Sequence, residues 1–211
     1  MSGHHTSAVR AAEAAAGPLD MAAAATAAAL ARVTVEVRSG PRVSGRRDAA
    51  GAPVGAGVVW HPDGLILTNA HVARGHVAVL LWDGRARPAR LVARDPERDL
   101  AALVVEASGL PAAEIGASAA LRVGEVVLAV GNPFGLARAL SAGLVHAVDG
   151  RVIRADLRLA PGNSGGPLAD ARGQVVGLNA MIVGGLAVAV TGQVGRAFVM
   201  VVVRAREPRR G

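Results

Sequence analysis

The chain of 211 residues has no cysteine and no tyrosine, and only two tryptophans and two phenylalanines. The missing cysteine excludes disulfides, thiolate metal centres and cysteine nucleophiles, and leaves the redox compartment unread. The missing aromatics mean that the core is aliphatic, because hydrophobic residues still make up 52% of the chain and are mostly Ala, Val and Leu. They also leave little to stack on bases, so a nucleic-acid binder has only charge in its favour and no specific nucleic-acid partner is expected. That charge is a formal +7, carried by arginine and partly concentrated in residues 204–211. A basic end of this kind is more often a solvated tail than a contact for nucleic acid or lipid. Long apolar runs are absent as well. The Ala-rich stretch of residues 12–31 has no Leu- or Val-rich block, and no basic stretch followed by an apolar core precedes it. No membrane span and no secretory leader are therefore expected, and the chain reads as cytoplasmic as written.

The chain is long enough to bury a substantial core in one domain or two small barrels. Pro18, Leu19 and Asp20 suit the start of a helix from about Met21 to Ala31, which makes residues 1–31 a helical arm. From Val33 onward short runs of Val, Leu and Ile are punctuated by Gly, Pro, Asp and Asn, the pattern of many short strands. Eleven such runs can be read: Val33–Arg38, Gly55–Trp60, Gly64–Thr68, Val77–Trp82, Arg85–Arg94, Ala101–Glu106, Glu125–Val130, Ala139–Ala147, Gly150–Ala155, Gln174–Val183 and Gly185–Val190. The fold class is all-β, a barrel or sandwich. Asp-Gly at 63–64 and 83–84 marks two hairpin turns, and Leu110–Arg122 reads as a linker between two groups of strands. Residues 193–202 read as a closing helix with Val194, Ala197, Phe198 and Val201 on one face, with a strand as the alternative.

The segment PGNSGGPL, residues 161–168, sets one serine among glycines. To act as a nucleophile, Ser164 needs a general base, a group that orients the base, and backbone donors for the oxyanion. Gly162 and Gly165 permit turn conformations in which the amides of Gly162 and Ser164 converge. Of six histidines, His71 lies directly after a strand where the chain turns, and an imidazole there can shuttle the serine proton. Asp99 stands at the entrance to an apolar run, where a carboxylate needs a partner. Taken singly, both have plainer readings. His71 would be structural, and Asp99 would pair with Arg98 or Arg94.

Together the three segments outweigh those readings. Thr-Asn-Ala-His (68–71), Arg-Asp-Leu-Ala-Ala-Leu (98–103) and Gly-Asn-Ser-Gly-Gly-Pro-Leu (162–168), in this order, resemble the trypsin-fold serine proteases of the HtrA (Deg) type. Val-Gly-Asn-Pro-Phe-Gly (130–135), Ser-Ala-Gly-Leu-Val (141–145) and Gly-Leu-Asn-Ala (177–180) extend the resemblance through most of residues 33–203. It implies two six-stranded β-barrels, about 32–116 and 117–192, within a protease domain of residues 32–192 followed by a helix and tail at 193–211. His71 and Asp99 would come from the first barrel and Ser164 from the second. Ser164 would attack the peptide carbonyl, His71 move the proton and Asp99 orient His71, with Gly162, Asn163 and Ser164 forming the oxyanion hole. No cofactor and no metal are implied.

The resemblance also assigns the strand Leu178–Ile182, with Leu178, Asn179, Ala180 and Met181, to pairing with a bound polypeptide, and residues near Asn179–Met181 and Val188–Val190, Val188 among them, to the far side of the specificity pocket. Arg158, six residues before Ser164, departs from the small or aliphatic residues of relatives. Pointing inward it would favour acidic side chains, and pointing outward or toward Asp156 it would leave a small aliphatic pocket, the reading preferred on the cost of burying a guanidinium. Relatives often carry PDZ domains after the protease, and none is expected in this sequence. Aromatic residues that help relatives trimerise are missing from residues 1–40, so monomer and trimer both stand. The function expected is a serine endopeptidase acting on unfolded or damaged proteins. The alternative is a resting or inactive binding module on the same fold.

Overall fold

β-Branched and aliphatic residues at every second position present one face of each strand inward, and twelve such strands close into two barrels. The computed structural model describes residues 18–40, 54–136 and 138–206. A helix α1 (Pro18–Val33) leads into β1 (Thr34–Gly40), β2 (Val54–His61), β3 (Leu65–Thr68), β4 (His76–Leu80), β5 (Ala86–Asp95) and β6 (Leu100–Val105). These strands form the first barrel in the order β1-β2-β3-β6-β5-β4, every pair antiparallel. The second barrel contains β7 (Val126–Gly131), β8 (Ala139–Val148), β9 (Val152–Asp156), β10 (Pro167–Asp170), β11 (Val175–Val183) and β12 (Leu186–Thr191), in the order β10-β11-β12-β9-β8-β7. A final helix, α2 (Gly192–Arg206), closes the chain as described.

Each barrel has its own aliphatic core. Val35, Val37, Val79 and Leu103 fill the first, and Val127, Ile153, Leu168 and Val176 the second. A third cluster joins the two halves. Val58, Leu67, Leu100 and Ala102 of the first barrel meet Leu178, Ala180 and Val190 of the second, with Val199 and Val202 of α2 laid across them. Leu30 of α1 packs with Val130, Ala169 and Val175 of the second barrel, so α1 also spans the pair.

The structure adds to three local expectations. The strand β10 falls three residues after Ser164, at Pro167–Asp170, and no sequence run announced it. Its proline begins the strand, where no ladder donor is needed, and only four residues alternate. The stretch from Leu110 to Arg122 links the two groups of strands, and it is packed against both. Ala113 N–H donates to Val59 O at 2.8 Å, Val175 N–H to Glu114 O at 2.7 Å, and Leu110 is buried. Helix α2 forms, and of the expected face Val194 and Phe198 pack against the cluster between the barrels, while Ala197 and Val201 face solvent and Gly195, Val199 and Val202 turn inward. A helical pattern with Val at four of six consecutive positions offers two candidate stripes, and the packing chooses between them.

Candidate active site

His71 stands in the turn that follows β3. Val72 and Ala73 both donate their amides to Asn69 O at 3.2 Å, closing one helical turn. Three further bonds pin that turn to the β5–β6 side. Asn69 Nδ2 donates to Asp99 O at 2.9 Å, and the Arg94 guanidinium donates to Ala70 O at 3.2 and 3.1 Å. The Arg98 side chain pairs with Asp95 at 2.6 Å. Both arginines that offered Asp99 a plainer partner are thus engaged elsewhere. Asp99 faces His71 with both oxygens: Oδ1 accepts the His71 backbone amide at 3.0 Å, and Oδ2 lies 2.8 Å from Nδ1. An ionised carboxylate only accepts, so in a neutral imidazole held this way the proton sits on Nδ1 and the lone pair on Nε2. The histidine side chain is 40% exposed and the aspartate 20%, so the imidazole is open to the cleft while the carboxylate is partly covered.

Ser164 approaches from the other barrel. Ser164 O accepts the Ala56 amide of β2 at 2.8 Å, while Gly165 N–H donates to Asn179 O at 2.7 Å and Asn179 N–H to Gly166 O at 2.9 Å. Gly165 has φ +84, and a Cβ there would overlap Ala56 O and Thr68 Oγ1 and lie 3.1 Å from the Asn69 amide. Only a glycine lets the serine loop press this closely on the chain two residues before His71. Gly162 has φ +108. Asn163 N–H is spent on Ala160 O at 3.0 Å, whereas among the described residues neither the Gly162 nor the Ser164 amide has a backbone acceptor. The carbonyls beside them are held by the loop after β7, with Phe134 N–H donating to Pro161 O at 3.2 Å and Asn132 N–H to Gly162 O at 3.0 Å.

The Ser164 hydroxyl donates to Ala180 O at 3.0 Å. Among the described residues it makes no hydrogen bond to His71. The structure therefore joins His71 to Asp99, sets the serine loop against their turn, and leaves the hydroxyl on β11.

A cavity of about 570 Å³ opens beside the loop, lined on one side by Asp156, Leu157, Arg158, Leu159 and Ala160 and on the other by Phe134 and Ile182. Arg158 lies on its wall and is exposed, and among the described residues it has no ion pair with Asp156. The remaining β11 and β12 candidates divide. Leu178 and Asn179 are fully buried, Ala180 and Val188 nearly so, and Met181 is half exposed. Leu178 packs in the cluster between the barrels, and neither it nor Val188 lines the cavity. Beyond Leu178, which pairs with Pro167, β11 continues to Val183 with partners only on β12. One edge of its last four residues is open. Ile182 ends the strand that the resemblance assigns to peptide pairing, and here it also lines the cavity. Asn69 and Phe134 lie within quoted motifs and Arg94 enters the sequence reading only as a partner for Asp99, so a signal existed for each but not for the contacts they make.

A family model described as a trypsin-like peptidase domain matches residues 55–178. A probable periplasmic serine endoprotease DegP-like of Ectopseudomonas mendocina is 40% identical over 152 residues, covering 67% of this chain and 32% of the relative. A protein of the same description from Hahella chejuensis is 44% identical over 139 residues, covering 61% and 29%. The chain thus spans about a third of the length of these curated relatives. Among solved structures, the HtrA-type protease AlgW with decapeptide superposes with a TM-score of 0.75 at 28% identity, covering 86% of this chain and 67% of that one. AlgW with tripeptide gives 0.76 at 31%, covering 85% and 63%.

Proposed function

Since the chain belongs to the trypsin-like peptidase domain family, and within it to the HtrA type, we propose that it is a serine endopeptidase acting through Ser164, His71 and Asp99. The observation that carries the reading is the 2.8 Å contact between His71 Nδ1 and Asp99 Oδ2, which holds the imidazole with Nε2 free as a base. When Ser164 Oγ leaves Ala180 O and turns to His71, Nε2 takes its proton as Oγ attacks a peptide carbonyl. The proton then passes to the departing amine, and water repeats the sequence to release the acyl group. Asp99 accepts throughout, fixing the tautomer and favouring the imidazolium. The amides of Gly162 and Ser164, unspent on other acceptors, receive the oxyanion, and Asn163 shapes the loop between them.

Substrate is an extended polypeptide added to the open edge of β11, its backbone pairing with residues 180–183. A substrate amide that donates to Ala180 O would take the acceptor now occupied by Ser164, so binding and release of the hydroxyl are the same event. Unfolded chains supply extended backbone most readily. The cavity takes the side chain before the scissile bond, and Leu159, Ile182 and Phe134 favour an aliphatic one. For compartment, the relatives' description as periplasmic favours an exported protein over the cytoplasmic reading.

The Ser164–Ala180 bond is also what a resting binding module would show. Labelling with a fluorophosphonate, run beside cleavage of unfolded casein, separates the two. The endopeptidase gives labelling and cleavage that Ser164→Ala abolishes. A folded wild type that neither labels nor cleaves is the binding module.

A further inference from the structure

We propose that Arg138 is a positioning residue for the oxyanion hole, a strut from the second barrel to the first whose anchor, Trp82, is braced by Arg32 of α1. The inference rests on the endopeptidase reading and adds the means by which its oxyanion donors are aimed.

The reasoning begins with the Pro161–Gly162 peptide. Its carbonyl accepts from Phe134 N–H at 3.2 Å, and in a planar trans peptide the amide hydrogen points opposite to the oxygen. The Phe134 bond therefore aims Gly162 N–H away from the 133–135 loop. Gly162 O is drawn the same way by Asn132 N–H at 3.0 Å. The Phe134 bond thus decides which way Gly162 N–H faces, and the Asn132 bond holds the peptide that follows it.

The loop that makes these bonds is not at rest by itself. Phe134 has φ +52 and Arg138 φ +56, both in the left-handed region that disfavours a side chain. Asn132 is buried; its Oδ1 accepts the Arg138 amide at 2.9 Å, and among the described residues its Nδ2 has no partner. Strained residues persist where surroundings over-determine them. Here the outside constraint is the Arg138 guanidinium, whose Nη1 donates to Trp82 O at 2.9 Å across 56 residues of sequence. Trp82 lies in a turn that is closed on itself. Leu81 N–H donates to Arg85 O at 2.9 Å, Gly84 N–H to Leu81 O at 3.0 Å, and Arg85 Nε to Asp83 at 2.6 Å. Over the Trp82 ring lies the Arg32 guanidinium, 4.8 Å from the centroid, at the last turn of α1. Helix α1, the first barrel and the oxyanion loop thereby meet at one indole and its carbonyl.

Arg138→Ala is expected to lower kcat for peptide cleavage about tenfold or more while KM stays within about twofold, the split expected when oxyanion donors are misaimed. Arg138→Lys, which keeps one donor for Trp82 O, should recover much of the loss. Trp82→Ala keeps the carbonyl, removes the surface under Arg32, and should fall between. A second readout needs no turnover: hydrogen exchange of amides 132–136 and 161–166 in the Ser164→Ala background. Adding Arg138→Ala should speed exchange there and leave β9 and β12 unchanged. Unaltered exchange at 161–166, or a kcat equal to wild type in an active enzyme, overturns the strut. A wild type that never labels with fluorophosphonate sinks the endopeptidase reading instead, and the exchange result still decides whether Arg138 holds the loop.

Discussion

Asp99 sits at φ +53, a backbone conformation that few side chains take without cause. The cause lies in its two oxygens, one on the His71 amide and one on the ring. Asp99→Asn should fold as well as wild type, because asparagine tolerates the left-handed region, and stability by thermal melt should be nearly unchanged. Its amide group would donate toward Nδ1 and impose the wrong tautomer, so kcat should fall on the order of a thousandfold to ten-thousandfold. Unchanged kcat would remove Asp99 from the mechanism. Arg158 is a case of the opposite kind, a charge placed on the wall of the cavity but exposed. Exposed charges contribute little to binding. In a peptide series varied at the residue before the scissile bond, aliphatic side chains should lead, and Arg158→Ala should change their kcat/KM less than about threefold. An acidic preference lost in Arg158→Ala would show that the guanidinium reads the substrate.

Among the elements, the turn from Asp95 to Asp99 decides where the His71 partner stands. Asp95 is held below the ordinary carboxylate range, chiefly by the Arg98 side chain and also by the Arg98 amide. A carboxyl depressed in the folded state adds stability above its unfolded value near 3.8 and loses it as pH falls through the folded value. Asp95→Asn should therefore lower the urea midpoint at about pH 5, and the gap to wild type should close toward about pH 2. A gap that persists in acid would assign the effect to something other than this pair. Gly165→Ala tests the serine loop. Its Cβ overlaps Ala56 O and Thr68 Oγ1, so fluorophosphonate labelling should be lost even where the barrels still form. The sequence revealed these elements unevenly. His71, Asp99 and Ser164 could be named because each lies in a motif of local residues. The contact that parks Ser164 on Ala180 could not, since it depends on how β11 bulges between Asn179 and Met181 beside the loop. Strand β10 was hidden because four residues led by a proline show no period.

At the scale of the whole molecule the barrels are coupled through one apolar seam. Leu178 is its fully buried centre, touching neither the cavity nor open solvent. Leu178→Ala should cost about 2–5 kcal/mol in denaturant unfolding. A loss below about 1 kcal/mol would mean that the seam closes over the gap. The existence of two groups of strands could be read from the crossover between them, while the seam could not, because it joins residues from β2, β3, β6, β11, β12 and α2 with no shared periodicity. The same coupling reaches Ser164. The carbonyl of Ser164 is bonded to Ala56 of the other barrel, so the loop that presents the serine takes its shape only when both halves have met. A half-made or half-melted chain has the residues of a protease without the site. On the endopeptidase reading proposed above, nascent chains crowded on one another would be spared self-digestion until the last step of assembly, and a protein losing its fold would disarm before it became a substrate.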